Sequence, residues 1–87
     1  MKEKESERCK VMKQGEWLKN KLPNCKVRYT NDFGYTIFVK EDKLLGNCYI
    51  EMNCYSNSIS VYNKTFYKIA KEFATKFKYD ELVKDWC

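Results

Sequence analysis

Eighty-seven residues with a net charge of +5, 44% hydrophobic and 16% aromatic, suffice for one small domain spanning residues 1–87. The basic balance excludes a mimic of DNA, which needs dense acid. No apolar run is long enough to cross a bilayer and none follows the charged start as a signal peptide would, so a cytoplasmic protein without a membrane partner is expected.

Residues 1–22 read as one amphipathic helix with a charge-rich start. Val11, Gly15, Leu18 and Leu22 fall on one stripe at 100° per residue, with Met12 beside it and Trp17 off it. Gly15 costs about 1 kcal/mol against alanine in a helix interior, and close approach of the helix to a neighbour is one reason to keep it. Pro23 ends the helix.

Residues 25–63 alternate with a period of two in four runs, which predicts a four-stranded antiparallel meander. The runs are 25–30, 35–40, 48–54 and 59–62. Asp32, Phe33 and Gly34 supply the first turn, Gly46 and Asn47 mark the second, and Ser56, Asn57 and Ser58 the third. One face then collects Cys25, Val27, Tyr29, Tyr35, Ile37, Val39, Cys48, Ile50, Met52, Cys54, Ile59 and Val61. The other collects Lys26, Arg28, Thr30, Thr36, Phe38, Lys40, Tyr49, Glu51, Asn53, Ser60 and Tyr62.

Asn63 suits the N-cap of a second helix over residues 64–78, where Phe66, Ile69, Ala70, Phe73 and Phe77 form an apolar stripe. Lys64, Lys68, Lys71 and Lys78 occupy its far side. Asp80 caps a last helical turn over residues 81–86, in which Leu82, Val83 and Trp86 close the end of the core. The expected architecture is α+β, with both helices on one face of the sheet and its other face bare.

The chemistry needed for catalysis is sparse. The chain has no histidine, so the commonest general base near neutral pH is missing. Its three glycines form no phosphate-cradling loop, and its five cysteines contain no Cys-x-x-Cys pair. No cofactor, no metal and no enzymatic activity are expected. Cys25, Cys48 and Cys54 read as small buried apolar residues.

Two surfaces remain for binding. Arg28, Phe38, Tyr49 and Tyr62 on the bare sheet face, with Trp17, are the residue types that anchor protein interfaces. The Lys64, Lys68, Lys71 and Lys78 row offers contacts to nucleic acid or to an acidic protein surface. The dipeptide Leu44–Leu45 in a loop hints at a homodimer or partner contact.

The order helix, strands, helix, with lysines on the final helix, resembles the double-stranded-RNA-binding domain. That resemblance implies phosphate contacts by Lys64, Lys68 and Lys71. By its size, its histidine-free composition and its Lys, Asn and Tyr content, the chain also resembles small phage-encoded anti-defence proteins such as the anti-CRISPR proteins. That resemblance implies a rigid domain that docks on a host nuclease or effector complex in the host cytoplasm and acts by occlusion.

Overall fold

A computed structural model describes residues 7–31, 35–43 and 45–86. The predicted turn at Asp32, Phe33 and Gly34, the first six residues of the N-terminal helix, and Leu44 lie outside them. Helix α1 spans Glu7–Lys21, followed by strands β1 (Cys25–Thr30), β2 (Thr36–Glu41), β3 (Cys48–Asn53) and β4 (Ser58–Val61). A 3-10 turn at Lys64–Phe66 leads into α2 (Tyr67–Phe77), and β5 (Glu81–Lys84) closes the chain.

The meander forms as expected, each strand antiparallel to the one before it. The sheet nevertheless has five strands and is mixed, in the order β1-β2-β3-β4-β5, because β5 runs parallel to β4. This corrects the four-stranded antiparallel sheet and the helical turn expected at residues 81–86. The 3-10 turn and α2 carry the chain back along the sheet, the connection that a parallel pair requires. Two hydrogen bonds fix the return: Asp80 N–H donates to Asn57 O at 3.0 Å, and Asn57 Nδ2 donates to Lys78 O at 3.2 Å. Leu82 then sits beside Ile59 on the core face, and Val83 beside Ser60 on the opposite one. Val83 therefore does not close the core. Trp86 does contribute, with its ring edge-on to Tyr67 at 5.4 Å.

Ile37, Val39, Ile50, Met52, Ile59 and Val61 are fully buried beneath the helices together with Leu18, Ala70 and Phe73. Cross-strand pairing explains the arrangement: Ile37 faces Met52, Val39 faces Ile50, and Ile50 faces Val61. Both helices cover this face alone. Phe73 anchors α2, 4.8 Å from the ring of Phe77 and 5.3 Å from that of Tyr79.

Val11 and Leu18 are buried on α1 as the stripe predicts, while Met12 is half exposed. Trp17, read as off the stripe, packs edge-on against Phe73 and Phe77 at 5.7 and 6.2 Å. The two helices lie side by side, so the flank of α1 that a lone helix would turn to water faces α2 instead. Gly15 serves close approach: a Cβ there would collide with the Tyr29 hydroxyl and lie 2.7 Å from its Cζ. Gln14, which the stripe leaves out, is buried because the Tyr79 hydroxyl donates to its Oε1 at 2.7 Å.

Helix α2 ends where Lys78 adopts the left-handed conformation, φ 58° and ψ 50°, with its N–H bonded to Ala74 O. At the other end the Asn63 side chain accepts from Thr65 N–H at 2.9 Å, so the expected cap is present. The first turn it caps is 3-10, which shortens the α-helix to start at Tyr67.

Candidate functional site

The face of the sheet turned away from the helices is organised by register. Arg28, Phe38, Glu51, Ser60 and Val83 form one row across all five strands. Thr30, Thr36, Asn53, Ser58 and Glu81 form the next row on one side. On the other side Lys26 pairs with Lys40, and Lys40 with Cys48. No element among the described residues packs over this face.

An irregularity between Val39 and Lys40 changes what the third strand presents. Val39 pairs with Ile50 and Lys40 with Cys48, which leaves Tyr49 as the extra residue of a β-bulge. Strict alternation puts Cys48 with the core and Tyr49 on the open face. The bulge reverses this for Cys48, which lines the depressions on either side of Phe38. Tyr49 borders one of those depressions from the strand end, where its ring stacks on Phe66 at 4.4 Å and 14°. It is an anchored rim residue rather than a free aromatic anchor.

Two shallow depressions result, separated by Phe38 and Cys48. One is bordered by Glu51, Tyr62 and Asn63, the other by Arg28, Thr30 and Lys40. The Tyr62 hydroxyl donates to Glu51 Oε1 at 3.0 Å, which fixes the ring over the first depression while leaving it 39% exposed. Burial, and then its bond to Glu51, pushes the Tyr62 hydroxyl pKa up. Glu41 closes the strand end: the Asn47 N–H, 2.9 Å from Oε2, and then the Tyr49 hydroxyl hold its carboxyl below the usual range.

The Cys48 thiol is raised by burial and by the charge of Glu51, and Cys25 by burial and by Asp42. Both shifts run opposite to what a reactive thiolate needs. Cys25, Cys48 and Cys54 are half-buried rather than buried. Among the described residues, no three His, Cys, Asp or Glu side chains gather into a metal-holding group. The arrangement is suited to contact, with hydrogen-bonding rims around apolar rings.

Of the predicted interface residues, Arg28 and Phe38 are direct neighbours, and Tyr62 lies across the Phe38 depression. Trp17 is on the other side of the sheet, at the seam between the helices, with Lys21 Nζ 5.4 Å from its ring. The lysine row is also divided. Lys68 and Lys71 border one shallow surface of α2 with Tyr67, Thr75 and Lys76, whereas Lys64 and Lys78 stand at opposite ends of the helical segment.

The parallel strand brings a lysine that the sequence reading missed. Lys84 Nζ sits 5.0 Å from the Tyr67 ring, and Lys71 Nζ 5.7 Å from it. Reading residues 81–86 as a helical turn hid that pairing. Two exposed side chains at the sheet ends were also missed or only half seen. Tyr55 is 83% exposed on the turn built by Asn53 Oδ1, which accepts from the N–H groups of Tyr55 and Ser56. Leu45 is almost wholly exposed on the β2–β3 connection. No helix among the described residues is long and apolar enough to cross a membrane. Comparison with known protein families, curated proteins and solved structures finds no significant match to this chain.

Proposed function

We propose that the chain is a non-catalytic binding protein that docks on a protein partner through its open sheet face. The observation that supports this is the one-sided placement of α1 and α2, which leaves Arg28, Phe38 and Tyr62 together on an uncovered, rigid ladder. Aromatic and arginine anchors of this kind carry most of the energy in protein interfaces. The resemblance to small anti-defence proteins extends the proposal to a mode of action, occlusion of a nuclease or effector complex in a host cytoplasm.

Cleavage by purified RNA-guided nucleases, measured with and without the protein, tests this mode. Inhibition relieved on the order of a hundredfold by Phe38→Ala with Tyr62→Ala fits two interface anchors. Inhibition that the double variant leaves unchanged removes the sheet face as the working surface.

One observation favours a second reading. Lys71 and Lys84 converge on Tyr67, which gives α2 and β5 a joint surface of cations around an aromatic ring. Such a surface suits nucleic-acid phosphates and stacked bases. Binding to generic duplex and single-stranded RNA and DNA that falls steeply with salt, and falls further in Lys71→Glu with Lys84→Glu, supports it. Absence of binding at low salt excludes it.

A further inference from the structure

Among the described residues, the outer edge of β1 is the longest unpaired strand edge of the sheet. β1 stands first in the strand order and has six residues, against four in β5 at the other edge. Among the described residues its backbone bonds only to β2, apart from Cys25 N–H donating to Leu22 O at 3.1 Å. Half of its amide and carbonyl groups therefore face outward, a template for one more strand.

The side chains beside that edge differ on the two faces. Cys25, Val27 and Tyr29 point to the core side but are only half-buried, whereas their pairing neighbours Ile37 and Val39 are fully buried. The apolar core thus continues to the margin of β1 without being fully covered there. On the open face the same strand exposes Lys26, Arg28 and Thr30, with Lys40 next inward. Asp42 lies 3.7 Å from Lys26, and both are well exposed. No carboxylate among the described residues pairs with Arg28.

We propose that the β1 edge accepts an extended segment of a partner protein in which acidic and apolar residues alternate. This rests on the reading of the chain as a binding protein and names the form its partner takes. The backbone of the segment would continue the ladder, its apolar side chains would cover Cys25, Val27 and Tyr29, and its carboxylates would face Lys26 and Arg28. The charges also select against a second copy. Antiparallel pairing of two β1 strands with their core faces aligned sets Arg28 opposite Arg28, or Lys26 opposite Arg28, and like charges directly opposite destabilise a pair.

A capped peptide alternating glutamate with valine is the probe, titrated against the full chain with hydrogen exchange followed along the backbone. Binding is expected to slow exchange in β1 and not in α2. Methylating the peptide amides of alternate residues should abolish binding for one set and spare it for the other, because β1 pairs with only one edge of the peptide. Lys26→Glu with Arg28→Glu, both exposed and compatible with the fold, should weaken binding on the order of tenfold and favour a lysine–valine peptide instead.

No binding, equal binding of both methylated peptides, or protection confined to α2 overturns the proposal. So does a dimer of the protein alone that the two reversals dissolve. In the nuclease assay Arg28 is left intact, since it also belongs to the face: Lys26→Glu that changes nothing while Phe38→Ala with Tyr62→Ala abolishes inhibition sinks the edge and keeps the face. The opposite pattern sinks the face and keeps the edge.

Discussion

Gly15 on α1 and Tyr29 on β1 set how closely the first helix lies on the sheet, and substituting them measures that distance in energy. Alanine at position 15 gains about 1 kcal/mol of helix propensity. Against this, its Cβ meets the Tyr29 hydroxyl and then the ring itself, with Cζ at 2.7 Å and Cε1 at 2.9 Å. Overpacking of this kind costs about 1–3 kcal/mol, and here the obstacle is a ring held between helix and sheet rather than a flexible chain end.

The clash should outweigh the propensity, so Gly15→Ala is expected to destabilise by about 1–2 kcal/mol, a fall in Tm of roughly 5–15 °C for a domain of this size. The Tyr29 hydroxyl is buried without a hydrogen-bond partner among the described residues. Tyr29→Phe should therefore stabilise by about 1 kcal/mol, since it removes an unsatisfied group. In the double variant the hydroxyl clash is gone and the ring contacts remain, which predicts partial rescue with a coupling of about 1 kcal/mol. Urea unfolding followed by circular dichroism gives all three values. A rise in stability for Gly15→Ala would mean that α1 stands off the sheet, and the covered face would then be less complete than described.

Three further outcomes follow from individual contacts. Burial and the bond to Cys54 raise the Tyr79 hydroxyl pKa well above its ordinary value, so this group contributes stability that is present below about pH 10 and lost as pH rises beyond it. Tyr79→Phe should cost about 1–2 kcal/mol near pH 7 by leaving Gln14 Oε1 with only the weak Cys54 thiol donor at 4.0 Å, and it should flatten the alkaline loss in a Tm-versus-pH series; an unchanged alkaline slope contradicts this. Lys78→Gly, at φ 58°, should stabilise by about 1 kcal/mol in urea unfolding, because glycine adopts the left-handed region without a Cβ penalty. Truncation before Glu81 removes β5 and bares the edge of β4, so light scattering should show concentration-dependent association that the full chain lacks.

The alternation of apolar and polar residues from Cys25 to Val61 determined which side of the meander is buried, because a period of two leaves each strand one consistent apolar face. The spacing of Ile69, Ala70, Phe73 and Phe77 likewise determined the inward stripe of α2, and the Asn63 cap the approximate start of the helical segment. Local pattern carries such information since it depends on neighbours in the chain. Three features depended on contacts between distant segments. Leu82 and Val83 are adjacent apolar residues that suit a helical turn or a strand equally well, and only the docking of Asp80 on Asn57 makes them a fifth, parallel strand. That strand delivers Lys84 to Tyr67. The bulge that turns Cys48 to the open face arises from the pairing of β2 with β3, since an extra residue shows only against its partner strand. Trp17 found its place through α2, because a helix periodicity names the side facing one neighbour and is silent about a second.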